Sequence, residues 1–191
     1  MFKIPPDVDK LQFLKDIFAS NQYKLVDTYV IDDGKEHPFA IIVPGGAYCM
    51  VCNYIEGKPF AQKLNELGIS CFILYYRVKS KAHFPAPMDD LAHAVEEVFQ
   101  QSDKYHIDKT NFSIWGSSAG GHLAASFGTD TMGYIKYNLP KPNAIVLAYP
   151  VITMDPAFTH KMSHDSLLGE NAAKEDEDMA SIEKNVTSEY P

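Results

Sequence analysis

Several features that would commit a chain to a particular class are scarce or missing in these 191 residues. There are only three cysteines, Cys49, Cys52 and Cys71, an odd and low count that suits reduced thiols in a cytoplasm better than a disulfide framework. Positive charge is short: 17 Lys and Arg against 25 Asp and Glu leave a net charge of −8, which argues against a nucleic-acid partner. No apolar run approaches the roughly 18 residues of a membrane span. The N-terminal Met1-Phe2-Lys3-Ile4-Pro5-Pro6 lacks the apolar centre of a signal peptide. Internal repeats and low-complexity linkers are also lacking. The acidic run Glu175-Asp176-Glu177-Asp178 reads as a solvated helix face, since its spacing suits no particular metal. The expectation is a cytoplasmic domain without metal, cofactor, membrane or nucleic acid. With 46% hydrophobic and 22% charged residues, the length allows one proper core and not two.

What is present alternates between strand and helix patterns. Residues 7–19 place Val8, Leu11, Leu14 and Phe18 at helical spacing, and residues 23–31 read as a strand closed by Asp32-Asp33-Gly34. Phe39 to Val43 is a continuous apolar run, as expected of a strand buried on both faces. A helix follows over 57–67, a strand over 69–76, a helix over 89–101, and strands over 111–115 and 144–149. This order predicts parallel βαβ units, hence an α/β fold with a doubly wound, mostly parallel sheet flanked by helices. Residues 153–190 contain no strand pattern, only a helix expected from about Ala172 to Lys184.

Chemistry concentrates at Trp115-Gly116-Ser117-Ser118-Ala119-Gly120-Gly121-His122. An apolar strand enters it and a helix leaves it, the context in which G-x-S-x-G forms a nucleophile elbow. Small residues are needed because a larger side chain would collide across so tight a turn. The spacing selects Ser118, not Ser117, as the nucleophile. A developing oxyanion then needs amide donors. The N–H of Ala119, just after the serine, supplies one, and Gly45-Gly46 after the Phe39–Val43 strand stands where a second set belongs.

Beyond these residues, further stretches resemble the bacterial acetylesterase and carboxylesterase branch of the α/β-hydrolase superfamily, related to hormone-sensitive-lipase-like esterases. They are Pro44 to Tyr48, Glu56 to Ala61, Tyr75-Tyr76-Arg77, Phe84 to Leu91, Gly116 to Leu123, Tyr149-Pro150-Val151, and Ser166 to Gly169, in family order from about residue 37 onward. Relatives usually carry His-Gly-Gly where this chain has Pro44-Gly45-Gly46. The resemblance implies a single α/β-hydrolase domain over 1–191: an N-terminal helix and strand (1–36), a core with the oxyanion loop and elbow (37–152), and a strandless cover segment (153–191). It implies Ser118 as nucleophile, Gly45, Gly46 and Ala119 as oxyanion donors, and Tyr48 as a wall of the acyl pocket. Asp89, Asp90 and Arg77 are expected to support loops. The implied reaction is hydrolysis of short-acyl esters, such as acetylated sugars, through an acyl-enzyme on Ser118.

The triad order Ser, acid, His leaves only His122, His160 and His164 after the serine. His122 lies one turn along the same helix and reads as a packing residue. His160 or His164 with Asp155 or Asp165 would need a fortuitous geometry. The expectation is therefore a C-terminally incomplete esterase, inactive for want of its acid and base, with an apolar sheet edge at 144–149 open to pairing. Three alternatives stand beside it. A serine peptidase of the same fold would share the elbow. A ligand-binding module would keep the pocket without the triad, and Cys49-x-x-Cys52 could mark a redox or zinc site.

Overall fold

In the computed structural model, residues 24–191 are described, so the helix expected over 7–19 lies outside them. Five strands form one sheet: β1 (Lys24–Tyr29), β2 (His37–Val43), β3 (Ser70–Tyr75), β4 (Ile107–Ser117) and β5 (Ala144–Ala148). Their spatial order is β1-β3-β2-β4-β5, with β1 antiparallel to β3 and every other pairing parallel. The mostly parallel α/β architecture expected from the alternating pattern is thus what the chain adopts.

The central strands form because their residues are apolar without interruption. Phe39 to Val43 of β2 and all six residues of β3 are buried. Helices α1 (Asn53–Glu56) and α2 (Lys58–Glu66) follow β2, and α2 lies against β3 and β1. Pro59 sits in the first turn of α2, where its missing N–H costs nothing, and Gly68 at φ +85° ends the segment. Helix α3 (Ala86–Gln100) starts three residues before its expected position, with Pro87 in its first turn. A short α4 (Ser102–Tyr105) then leads into β4.

Helix α5 (Ser118–Phe127) springs directly from the end of β4, lies against β4 and β5, and packs on α3. The cover segment has no strand among its described residues but has more helix than the sequence suggests: α6 (Lys161–Leu168) and α7 (Lys174–Ala180). It is tied down at several points. Met154 N–H donates to Ser181 Oγ at 2.9 Å, Ile182 N–H to Ile152 O at 3.0 Å, and Tyr190 Oη to Ala125 O at 2.8 Å. The first two close the segment on itself and on the chain after β5, and the Tyr190 bond holds it on α5. Strand β5 ends the sheet, with Val146 exposed on it. Among the described residues, no helix is long and apolar enough to cross a membrane.

Candidate active site

Parallel strands bring their C-terminal ends to one side, and there β2, β4 and β5 converge. Ser118 is the first residue of α5 and holds φ +52°, a left-handed conformation that is uncommon for a residue with a side chain. The surrounding glycines are required by contact. A Cβ at Gly120 would collide with the carbonyl oxygens of Val43 and Pro44. One at Gly116 would lie 2.7 Å from Ala124 Cβ, and one at Gly121 would lie 2.8 Å from Pro150 Cβ. The turn can be this tight only because those positions are bare. Ser118 therefore sits at the positive end of a ten-residue helix dipole.

The loop after β2 folds onto this elbow. A Cβ at Gly45 would stand 2.6 Å from Ser117 O and 2.8 Å from Ser118 Cβ, so the two backbones are in close contact. Loop carbonyls turn away into the following turn: Gly45 O accepts from Cys52 N–H, and Gly46 O from Cys49 and Met50 N–H. Ala47 and Tyr48 hold φ +55° and +59°. Gly45 differs from its expected donor role, because its own N–H already donates to Glu56 Oε2 at 2.7 Å. Its contribution here is the absence of a side chain against the elbow. Gly46 follows it in the loop. Ala119 is buried in the first turn of α5, where backbone N–H groups have no partner within the helix.

Tyr48 is expected on the acyl pocket wall but points inward. It is 1% exposed, and its hydroxyl donates to His122 Nδ1 at 2.8 Å. His122 Nε2–H in turn donates to Ala180 O at 2.7 Å, which fixes the tautomer. Burial lowers the His122 pKa to about 4, partly opposed by that Ala180 bond. This buried imidazole is a strut between the donor loop, α5 and the cover segment, in line with its reading as a packing residue.

A cavity of about 330 Å³ opens at Ser118, lined among others by Tyr149, Val151, Thr153, Phe158 and His160. Phe158 is 83% exposed and Tyr149 66%, so the rim is aromatic. Arg77, Asp89 and Asp90 bind one another: Arg77 Nε reaches Asp90 Oδ1 at 2.9 Å, Arg77 Nη2 donates to Ala86 O at 2.7 Å, and Tyr137 Oη donates to Asp89 at 2.7 Å. This is a loop-holding arrangement. Burial and the nearby Glu56 push the Cys52 thiol pKa up, the opposite of a redox-activated cysteine. Among the described residues, no three His, Cys, Asp or Glu side chains gather as a metal site would require.

The expectation that acid and base are missing is overturned. His164 Nδ1 lies 3.0 Å from Asp165 Oδ1, and its Nε2 lies 3.2 Å from Glu177 Oε1. A histidine–aspartate pair is thus contained in the chain, and the inference of an inactive chain falls with it. The sequence names His164 and Asp165 but gives no sign that they meet, since neighbours one apart on a helix do not normally face each other. Here the buried His164 ring is held between α6 and α7 with a carboxylate at each nitrogen. The histidine that lines the Ser118 cavity is His160, whose Nδ1 lies 2.9 Å from Ser163 Oγ.

Residues 26–187 match the BD-FAE family. The chain is 30% identical, over 97% of its length and 32% of the relative's, to endo-1,4-beta-xylanase B of Butyrivibrio fibrisolvens. It is 34% identical to the acetylxylan esterase of Xylanibacter ruminicola, over 75% of this chain and 31% of that protein. The crystal structure of an acetyl ester-xyloside bifunctional hydrolase from Caldicellulosiruptor lactoaceticus superposes with a TM-score of 0.76 at 36% identity, covering 86% of this chain and 62% of that one. The chain therefore spans about a third of the length of those two curated relatives and under two thirds of that solved structure. On the match over residues 26–187 and the shared fold, the chain belongs to the BD-FAE family, within the α/β-hydrolase superfamily of esterases, carboxylesterases and lipases.

Proposed function

We propose that the protein is a serine carboxylesterase of the acetylesterase, hormone-sensitive-lipase-like branch, acting on short-acyl esters of small molecules such as acetylated sugars. The observation that carries this reading is Ser118 at φ +52° on the strand-to-helix turn, with the Gly45-Gly46 loop packed on it. Ser118 Oγ attacks the acyl carbonyl, forming an acyl-enzyme and releasing the alcohol; water then releases the acid. The amides of Gly46 and Ala119 stabilise the oxyanion, aided by the N-terminal end of α5. The attack requires a base for the serine proton. The relatives named as acetylxylan esterase and acetyl ester-xyloside hydrolase favour an acetylated sugar. The exposed rings of Phe158 and Tyr149 offer a surface on which a sugar could lie.

Release of acetate from acetylated xylo-oligosaccharides, set beside p-nitrophenyl acetate and butyrate, tests the proposal. Acetate release that disappears in Ser118→Ala is the expected result. Equal activity in Ser118→Ala, or no release from any of the three, overturns it.

A further inference from the structure

One carboxylate outside the cavity wall holds the donor loop that rests on the elbow. Glu56, the last residue of α1, accepts the Gly45 N–H through Oε2 at 2.7 Å. Tyr149 lies beside both Glu56 and Ser117, and burial together with the Glu56 charge pushes its phenol pKa up. Tyr149 directly follows β5 and holds φ +38°, and the Gly45 backbone rests on Ser117 and Ser118. Glu56 thus braces the Gly45 backbone at the point where it rests on the elbow at the end of β4.

We propose that Glu56 is a positioning residue that presses the donor loop onto the elbow and keeps the Gly46 amide aimed at the oxyanion. The proposal rests on the ester-hydrolysis reading. Its chemistry explains why a carboxyl group serves: an ionised oxygen is a strong, acceptor-only partner for a backbone amide. Without Glu56 the Gly45 N–H loses its partner, and the loop, whose residues hold strained dihedrals, is free to relax. An ångström of drift at an oxyanion donor is enough to slow turnover strongly.

The test compares Glu56→Ala, Glu56→Gln and Glu56→Asp with the unaltered chain, reading kcat and KM on p-nitrophenyl acetate and the Gly45 amide proton by NMR. Glu56→Ala is expected to lower kcat by about 10- to 100-fold with KM within about threefold, and to shift the Gly45 resonance upfield. Glu56→Gln, which still accepts from the amide, should recover most of both. Glu56→Asp, whose shorter side chain falls short of the Gly45 amide, should lower kcat by a smaller factor and keeps the test decisive if Glu56→Ala does not fold; unchanged kcat there overturns the proposal as well. Unchanged kcat in Glu56→Ala overturns the role of Glu56 alone. So does a Glu56→Gln variant no better than Ala, or one faster than the unaltered chain, which would make Glu56 a brake on the oxyanion. An unaltered chain with no turnover defeats the esterase reading instead, while the Gly45 resonance still reports whether Glu56 holds the loop.

Discussion

The two ends of the sheet are built on opposite principles. At the N-terminal end of the parallel strands, Phe39 stacks on Phe112 with ring centroids 5.3 Å apart. Phe72 and Phe99 meet Phe39 edge-on at 6.0 and 5.5 Å. The positive-φ residues at this end, Gly34, Gly68 and His106, only turn the chain into β2, β3 and β4, while the rings gain from area burial and favourable quadrupole geometry. At the C-terminal end, Ala47, Tyr48, Ser118 and Tyr149 all hold positive φ, and glycines 116, 120 and 121 stand where any Cβ would clash. The second end is strained and polar, and it is held in place by hydrogen bonds from outside the sheet. The contrast suggests that the aromatic end supplies stability which the site end draws on.

Substitutions at each end should separate these roles. The largest effect belongs to Ser118→Ala, expected to lower kcat by about a million-fold while the thermal midpoint stays within a few degrees. Phe39→Ala should do the reverse, costing about 3–5 kcal/mol in denaturant unfolding with kcat of the folded fraction nearly unchanged. Gly116→Ala touches both properties, because its Cβ would press on the turn that carries Ser118. A loss of about 3 kcal/mol together with lower kcat is expected. If Gly116→Ala costs stability but leaves kcat intact, the strained end is not what activates the serine.

Acid should weaken the site end before the aromatic end. The His122 pKa is lowered from 6.5 to about 4 when folded, so below 6.5 the unfolded chain binds the extra proton. This contribution is complete above 6.5 and declines as pH falls towards 4, by about 3 kcal/mol at most. Denaturant titrations across that window should show the slope, and His122→Asn should remove its share. Smallest is Tyr48→Phe, which deprives buried His122 Nδ1 of its donor and should cost about 1–3 kcal/mol.

The sequence revealed those parts of the molecule whose physics is local. Strands β2 and β3 announce themselves as uninterrupted apolar runs, and the elbow does so because its turn demands glycine at fixed offsets. The first residues of β4, Ile107-Asp108-Lys109-Thr110, escaped notice because polar side chains interrupt any apolar run there. The helix expected through Lys184 stops at Ala180, since Ser181 Oγ bonds back to Glu177 O while accepting from Met154 N–H. Contacts across long chain separations left no local mark. Glu56 reaches the donor loop eleven residues back. Tyr48 turns inward to a histidine 74 residues away, and His164 gains its second carboxylate from the next helix.

Ester hydrolysis as proposed requires Ser118 to be an activated nucleophile, and a fluorophosphonate probe reads that property directly. Mass spectrometry of the treated chain is expected to show a single adduct, mapped to the peptide carrying Ser118 and lost in Ser118→Ala. No adduct, or one placed on Ser117, would contradict it.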